Sequence, residues 1–139
     1  MKIVIAEDEQ RSREGLCRLI EGLGGDYQLV GTAANGAAAL DMILTLKPDT
    51  VFTDIKMPVM DGIEVAAQVR ARGVKTEFVI ISGYADFEYA RKSISLDVAE
   101  YLLKPVTLED VQRALKRVEE RLSQRGEDPR ARLGRRGTR

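Results

Sequence analysis

Histidine is missing from this 139-residue chain altogether. That absence removes Ser-His and Cys-His nucleophilic catalysis, and with only one cysteine, Cys17, it removes the usual zinc sites as well. A single cysteine also excludes an intrachain disulfide. No apolar run approaches the roughly 18–20 residues of a membrane span. The opening Met1-Lys2-Ile3-Val4-Ile5-Ala6 turns acidic at Glu7, too soon for the apolar stretch and cleavage site of a signal peptide, so a cytoplasmic protein is expected.

What is present suits one globular domain with a sizeable core. The hydrophobic share, 44%, is too high for a disordered chain. Net charge is zero but unevenly spread. Residues 121–139 hold seven arginines against Glu127 and Asp128, a surplus of five positive charges, so residues 1–120 carry the matching deficit. An acidic body over residues 1–122 is therefore expected, followed over 123–139 by a flexible basic tail that reads as a solvated linker.

Along the body, apolar β-branched runs alternate with amphipathic stretches. Lys2–Ala6 reads as a strand buried on both faces. A helix carrying Leu16, Leu19, Ile20 and Leu23 follows, stopped by Gly24-Gly25. Tyr27–Ala33 reads as a second strand, and Asn35 as the cap of a helix that turns Ala38, Ala39, Ile43 and Leu46 to one side. Thr50–Thr53 is a third strand and delivers Asp54 at its end. Met57-Pro58 to Asp61-Gly62 has loop chemistry. A helix over 63–71 follows, then a strand over 77–81 ending in Ser82-Gly83, then a helix from Asp86 to about Ser95 on Phe87, Ala90 and Ile94. Ala99–Leu103 is a short strand ending at Lys104-Pro105. Thr107 caps a last helix with Val111, Leu115, Val118 and Leu122 on one face. Cys17, Met57 and Met60 read as packing residues. Five strand–helix alternations argue for a doubly wound α/β fold, a parallel sheet with helices on both faces.

In such a sheet, ligands bind at the carboxyl ends of the strands. The residues there are Glu7-Asp8, Asp54, Ser82 and Lys104. Carboxylates brought that close repel one another unless something neutralises them. A hard divalent cation does so, and Mg²⁺ commonly shares its remaining positions with phosphate. Lys104 is a compact cation for phosphate oxygens, Ser82 is a hydrogen-bond donor, and Asp54 is a nucleophile able to form an aspartyl phosphate. Each residue alone has an ordinary explanation: Glu7 and Asp8 capping the first helix, Asp54 bonding loop amides, Ser82 making a turn, Lys104 solvated. Their convergence on one edge favours the common role.

Glu7-Asp8, Asp54, Ser82 and Lys104-Pro105, with Met57-Pro58 and Asp61-Gly62 after the acceptor, closely resemble the receiver domains of two-component response regulators over residues 1–122. The resemblance implies a flavodoxin-like (βα)5 fold with strand order 2-1-3-4-5. It implies Mg²⁺ held by Glu7, Asp8, Asp54 and the backbone carbonyl of Lys56. Asp54 would be phosphorylated by a sensor histidine kinase, the partner supplying the histidine this chain lacks. Lys104-Pro105 would be a cis peptide aiming Lys104 into the site. Ser82 and the strand aromatic Tyr101 would form a switch that alters the face of the fourth helix, fifth strand and fifth helix, favouring a homodimer or controlling an output domain. Glu7 stands where many members carry aspartate, and its longer arm would reach the metal through water. Lys56 and Tyr84 would shield the acyl phosphate. The stretches from Ser82 to Ala90 and Tyr101 to Pro105 are similar to receivers attached to AraC-type DNA-binding domains. These 139 residues contain no such domain, so DNA contact and transcription control are expected only through an effector outside them.

Such a module is not an enzyme beyond its own phosphorylation and dephosphorylation. The alternatives are a phosphorylation-independent interaction module and a Mg²⁺-dependent aspartyl-phosphate hydrolase. The second lacks its general acid, because Lys56 stands two residues after Asp54 where such enzymes carry an aspartate. A flavin or nucleotide binder would need a Gly- or Ser/Thr-rich phosphate loop where Glu7-Asp8-Glu9 stands.

Overall fold

Residues Lys2–Ala6, Thr50–Asp54 and Glu77–Ser82 are apolar or β-branched almost throughout, the composition of strands covered on both faces. In a computed structural model, which describes residues 1–83, 88, 91–92 and 95–127, these runs are β1, β3 and β4. The edges are β2 (Gln28–Ala33) and β5 (Glu100–Leu103). All pairings are parallel and the order is β2-β1-β3-β4-β5, the flavodoxin-like arrangement. The chain winds one way from β1 to β2 and the other way from β3 onward, so the switch point lies between β1 and β3.

Alternate residues of each strand serve opposite faces. Ile3, Ile5, Phe52, Val79 and Ile81 pack with Leu16 and Ile20 of α1 (Gln10–Leu23) and with Val111, Leu115, Val118 and Leu122 of the C-terminal helix (Leu108–Gln124). Val4, Val51, Phe78 and Ile80 pack with Ala39 and Ile43 of α2 (Gly36–Leu46) and Val65, Ala66 and Val69 of α3 (Gly62–Ala71). Cys17 lies half-buried at the first of these cores.

Local chemistry sets the helix ends. Thr107 and Asp110 form a reciprocal capping box at the C-terminal helix. The carboxamide of Asn35 accepts from Ala38 N–H at 2.8 Å. Gly24 and Gly25 stand at φ +60° and +63°, where a side chain is strained, and they end α1. The apolar side of α2 differs from expectation: Gly36, Ala39 and Ile43 are buried, whereas Ala38 and Leu46 are exposed. Ala38 lies one step, about 100°, away from Ala39 around the helix, and Leu46 is the last helical residue. The helix expected from Asp86 to about Ser95, with Phe87, Ala90 and Ile94, lies largely outside the described residues, as do Tyr84 and residues 128–139. Among the described residues, no helix is long and apolar enough to cross a membrane.

Candidate functional site

The carboxyl ends of β1 and β3 bring Glu7, Asp8 and Asp54 together. One carboxylate oxygen from each lies within 4.8 Å of the others. Glu7 and Asp54 are buried, and Asp8 faces solvent. β5 delivers Lys104 to the same point. Its Nζ donates to Asp54 Oδ2 at 2.8 Å and to Glu7 Oε1 at 3.0 Å. The Lys104-Pro105 peptide bond is cis.

Three acids against one ammonium leave the cluster short of positive charge. Burial, reinforced by the repulsion of Asp54, pushes the Glu7 carboxyl up from 4.5 to about 7, against opposing hydrogen bonds from Glu9 N–H and Lys104. Burial works against the Lys104 ammonium too, but its bonds to Asp54 and Glu7 outweigh that and raise its pKa above the usual lysine value.

The cap of α1 is neither Glu7 nor Asp8. Glu9 fills that place, accepting from Arg11 N–H at 3.0 Å and Ser12 N–H at 3.3 Å. That leaves the Asp8 side chain free of capping duty and able to face the cluster. Arg13, which the sequence pattern did not single out, donates from Nη1 to the Glu7 carbonyl at 2.9 Å. An arginine seven residues beyond a strand looks like any solvated helix residue until the turn is folded.

Gly62 permits the close approach behind Asp54. A Cβ there would stand 2.2 Å from the Asp54 carbonyl oxygen, so any larger residue would push α3 off the end of β3. Gly62 N–H also donates to Ile55 O at 2.8 Å, tying the loop back to the strand. Within that loop Met57 is buried, Met60 is partly buried, and Lys56 is exposed. Val59 has φ +71° and is 89% exposed.

On the next strand, Ser82 is fully buried at the end of β4. Its Oγ donates to Gly83 O at 3.2 Å and shares a hydrogen bond with the Tyr101 hydroxyl. Tyr101 on β5 is partly buried against the α2–α3 side of the core. The structure thus couples Ser82 to Tyr101 directly, and Asp54, Glu7 and Lys104 to one another.

A parallel five-stranded sheet with an acid cluster and a lysine at its switch point defines a class, and the comparisons with known proteins agree. The chain matches the response regulator receiver domain family over residues 3–116, and it belongs to that family. Among curated relatives, the uncharacterized transcriptional regulatory protein YesN of Bacillus subtilis is 36% identical over 117 residues, 84% of this chain and 32% of the relative. The positive alginate biosynthesis regulatory protein of Pseudomonas aeruginosa is 38% identical over 117 residues, 84% of this chain and 46% of that protein. The chain therefore spans about a third to just under half of the length of these relatives. Among solved structures, the receiver domain of AraT, a response regulator from Geobacillus stearothermophilus, superposes with a TM-score of 0.82 at 34% identity, covering 90% of this chain and 97% of that one. The chain is a receiver domain of two-component response regulators, a family of signalling modules whose relatives here include transcriptional regulators.

Proposed function

We propose that this receiver accepts a phosphoryl group on Asp54 from the phosphohistidine of a sensor histidine kinase, and that the modified site controls an output domain or partner. The observation that carries this reading is the meeting of Glu7, Asp8 and Asp54 within 4.8 Å, with Lys104 bonded to two of them. An all-oxygen donor set with surplus negative charge fits a hard divalent cation. Glu7, Asp8, Asp54 and the Lys56 carbonyl would hold Mg²⁺, which when bound neutralises charge developing on the transferred group.

The chain's own residues do the rest. A carboxylate oxygen of Asp54 attacks phosphorus; the new P–O bond forms as the P–N bond to the donor imidazole breaks. Lys104, already 2.8 Å from Asp54, turns from the carboxylate to the phosphoryl oxygens as a compact cation. Ser82 exchanges its present hydrogen bonds for one to a phosphoryl oxygen. That releases the Tyr101 hydroxyl, and the ring repacks. A new dianion thereby biases a two-state element that includes β5 and the C-terminal helix. A homodimer through that face, a cytoplasmic location and transcription control through a DNA-binding effector belong to the same proposal. So does the division into a receiver over residues 1–122 and a linker beyond.

The test is incubation of the protein with acetyl phosphate and Mg²⁺, read by intact mass. One added phosphoryl group, lost in Asp54→Ala and with EDTA, is expected. An adduct that persists in Asp54→Ala refutes Asp54 as the acceptor. With no adduct on folded protein, a beryllofluoride titration decides: absence of binding there leaves a phosphorylation-independent interaction module.

A further inference from the structure

At the opposite end of the sheet, a second charged cluster has no part in the chemistry above. Glu77, the first residue of β4, is 1% exposed. A carboxylate so buried requires cationic partners. It takes two, both from the end of the C-terminal helix. Arg121 Nε donates to Oε1 at 2.8 Å and Arg125 Nη1 donates to Oε2 at 2.7 Å. The arginines are four residues apart and so lie on one side of the helix. Arg125 is the residue that caps this helix, and its second nitrogen pairs with Glu127 at 2.9 Å.

Arg121 is shared. Its Nη2 lies 3.1 Å from Asp97 Oδ2 and donates to the Asp97 carbonyl at 2.9 Å. Its side-chain hydrogen bond to the carboxylate, from Nη1 to Oδ1 at 3.3 Å, holds the Asp97 carboxyl below the usual range. Asp97 adopts φ +55° in the turn that leads into β5. From α3, Arg70 donates to the carbonyls of Leu96, Asp97 and Thr76 at 3.2–3.3 Å. The Leu96–Asp97 turn is therefore gripped from two helices.

We infer that Arg121 and Arg125 lock the last turn of the C-terminal helix onto Glu77, and that Arg121 couples this lock to the Leu96–Asp97 turn, so that the helix end and the entry to β5 move together. The lock is a conformational device. It holds Gly126 and Glu127, where the chain passes out of the helix, against the amino end of the sheet. Three backbone hydrogen bonds report on it: Arg125 N–H to Leu122 O, Gly126 N–H to Ser123 O, and Glu127 N–H to Leu122 O. A fourth, Ala99 N–H to Phe78 O at 2.8 Å, reports on the turn before β5.

The experiment is amide hydrogen exchange on the full chain, resolved by NMR, for wild type, Arg125→Gln, Arg125→Lys and Arg121→Gln. In Arg125→Gln, amides 125–127 are expected to exchange about tenfold faster or more, with residues 111–118 unchanged. Arg125→Lys restores most of that protection. Arg121→Gln accelerates 125–127 and Ala99 together. Unchanged exchange at 125–127 in Arg125→Gln, or acceleration spread evenly over the whole helix, overturns the lock. Acceleration of 125–127 without Ala99 in Arg121→Gln overturns the coupling.

Discussion

The two ends of the sheet solve the problem of a buried carboxylate in opposite ways. At the amino end one buried acid, Glu77, is bonded by two guanidinium groups, which also pair with Asp97 and Glu127 nearer the surface. At the carboxyl end three acids cluster, and one ammonium, Lys104, bonds two of them, Glu7 and Asp54. The first arrangement is complete in itself and serves rigidity. The second stays short of positive charge, and a divalent cation can answer that shortage. Polar burial thus says little about function until partners are counted.

The sharpest way to break this contrast is to remove one acid at each end. Glu77→Ala leaves Arg121 and Arg125 without their shared partner and is expected to destabilise the fold by about 3 kcal/mol, read from urea unfolding. A loss under about 0.5 kcal/mol would mean that the pair is worth no more than a surface bridge. At the carboxyl end a proton and a metal compete for the same oxygens. Mg²⁺ affinity measured by calorimetry should therefore weaken as pH falls below about 7, where Glu7 takes up its proton. The expected decline is up to about tenfold per pH unit, and a flat profile between pH 8 and 5 would exclude Glu7 from the metal's surroundings.

Stability should follow the opposite sign there. Glu7 holds its proton more tightly in the folded chain, at about 7 against 4.5, so protonation favours folding. Its contribution is complete below about 4.5 and is lost as pH rises through about 7. In EDTA at pH 8, Glu7→Gln is expected to be more stable than wild type by on the order of 1 kcal/mol, and the two should converge by pH 5. A Gln variant less stable at pH 8 would show that Lys104 outweighs the burial cost. The smallest effect expected is at Val59, a β-branched residue at positive φ. Val59→Gly should raise stability by about 0.5 kcal/mol, the relief of strain being partly offset by unfolded-chain entropy, with the phosphorylation yield unchanged.

Much of this was legible beforehand because it is local. Strands with continuous β-branched runs, helices stopped by Gly24-Gly25 or begun at Asn35 and Thr107, and the acids, serine and lysine at strand ends all follow from neighbours a few residues apart. Errors arose where neighbours were not enough. Leu46 matched the apolar period of α2 but, as its last residue, stands exposed. Glu7 and Asp8 had been readable as caps of α1, and the folded turn puts Glu9 in that place instead.

By itself, the sequence determined the order and kind of the elements, and with them the set of side chains that a parallel sheet must gather at one edge. Tertiary structure alone decided how charge is shared there: that Lys104 bridges Glu7 and Asp54, that Arg13 holds the Glu7 carbonyl, and that Glu7 keeps its proton to about neutral pH. It alone joined Glu77 to arginines 44 and 48 residues away. The physical reason is range. Helical and strand periods act between near neighbours, whereas Coulombic attraction and desolvation depend on distances and burial that exist only once the chain has folded.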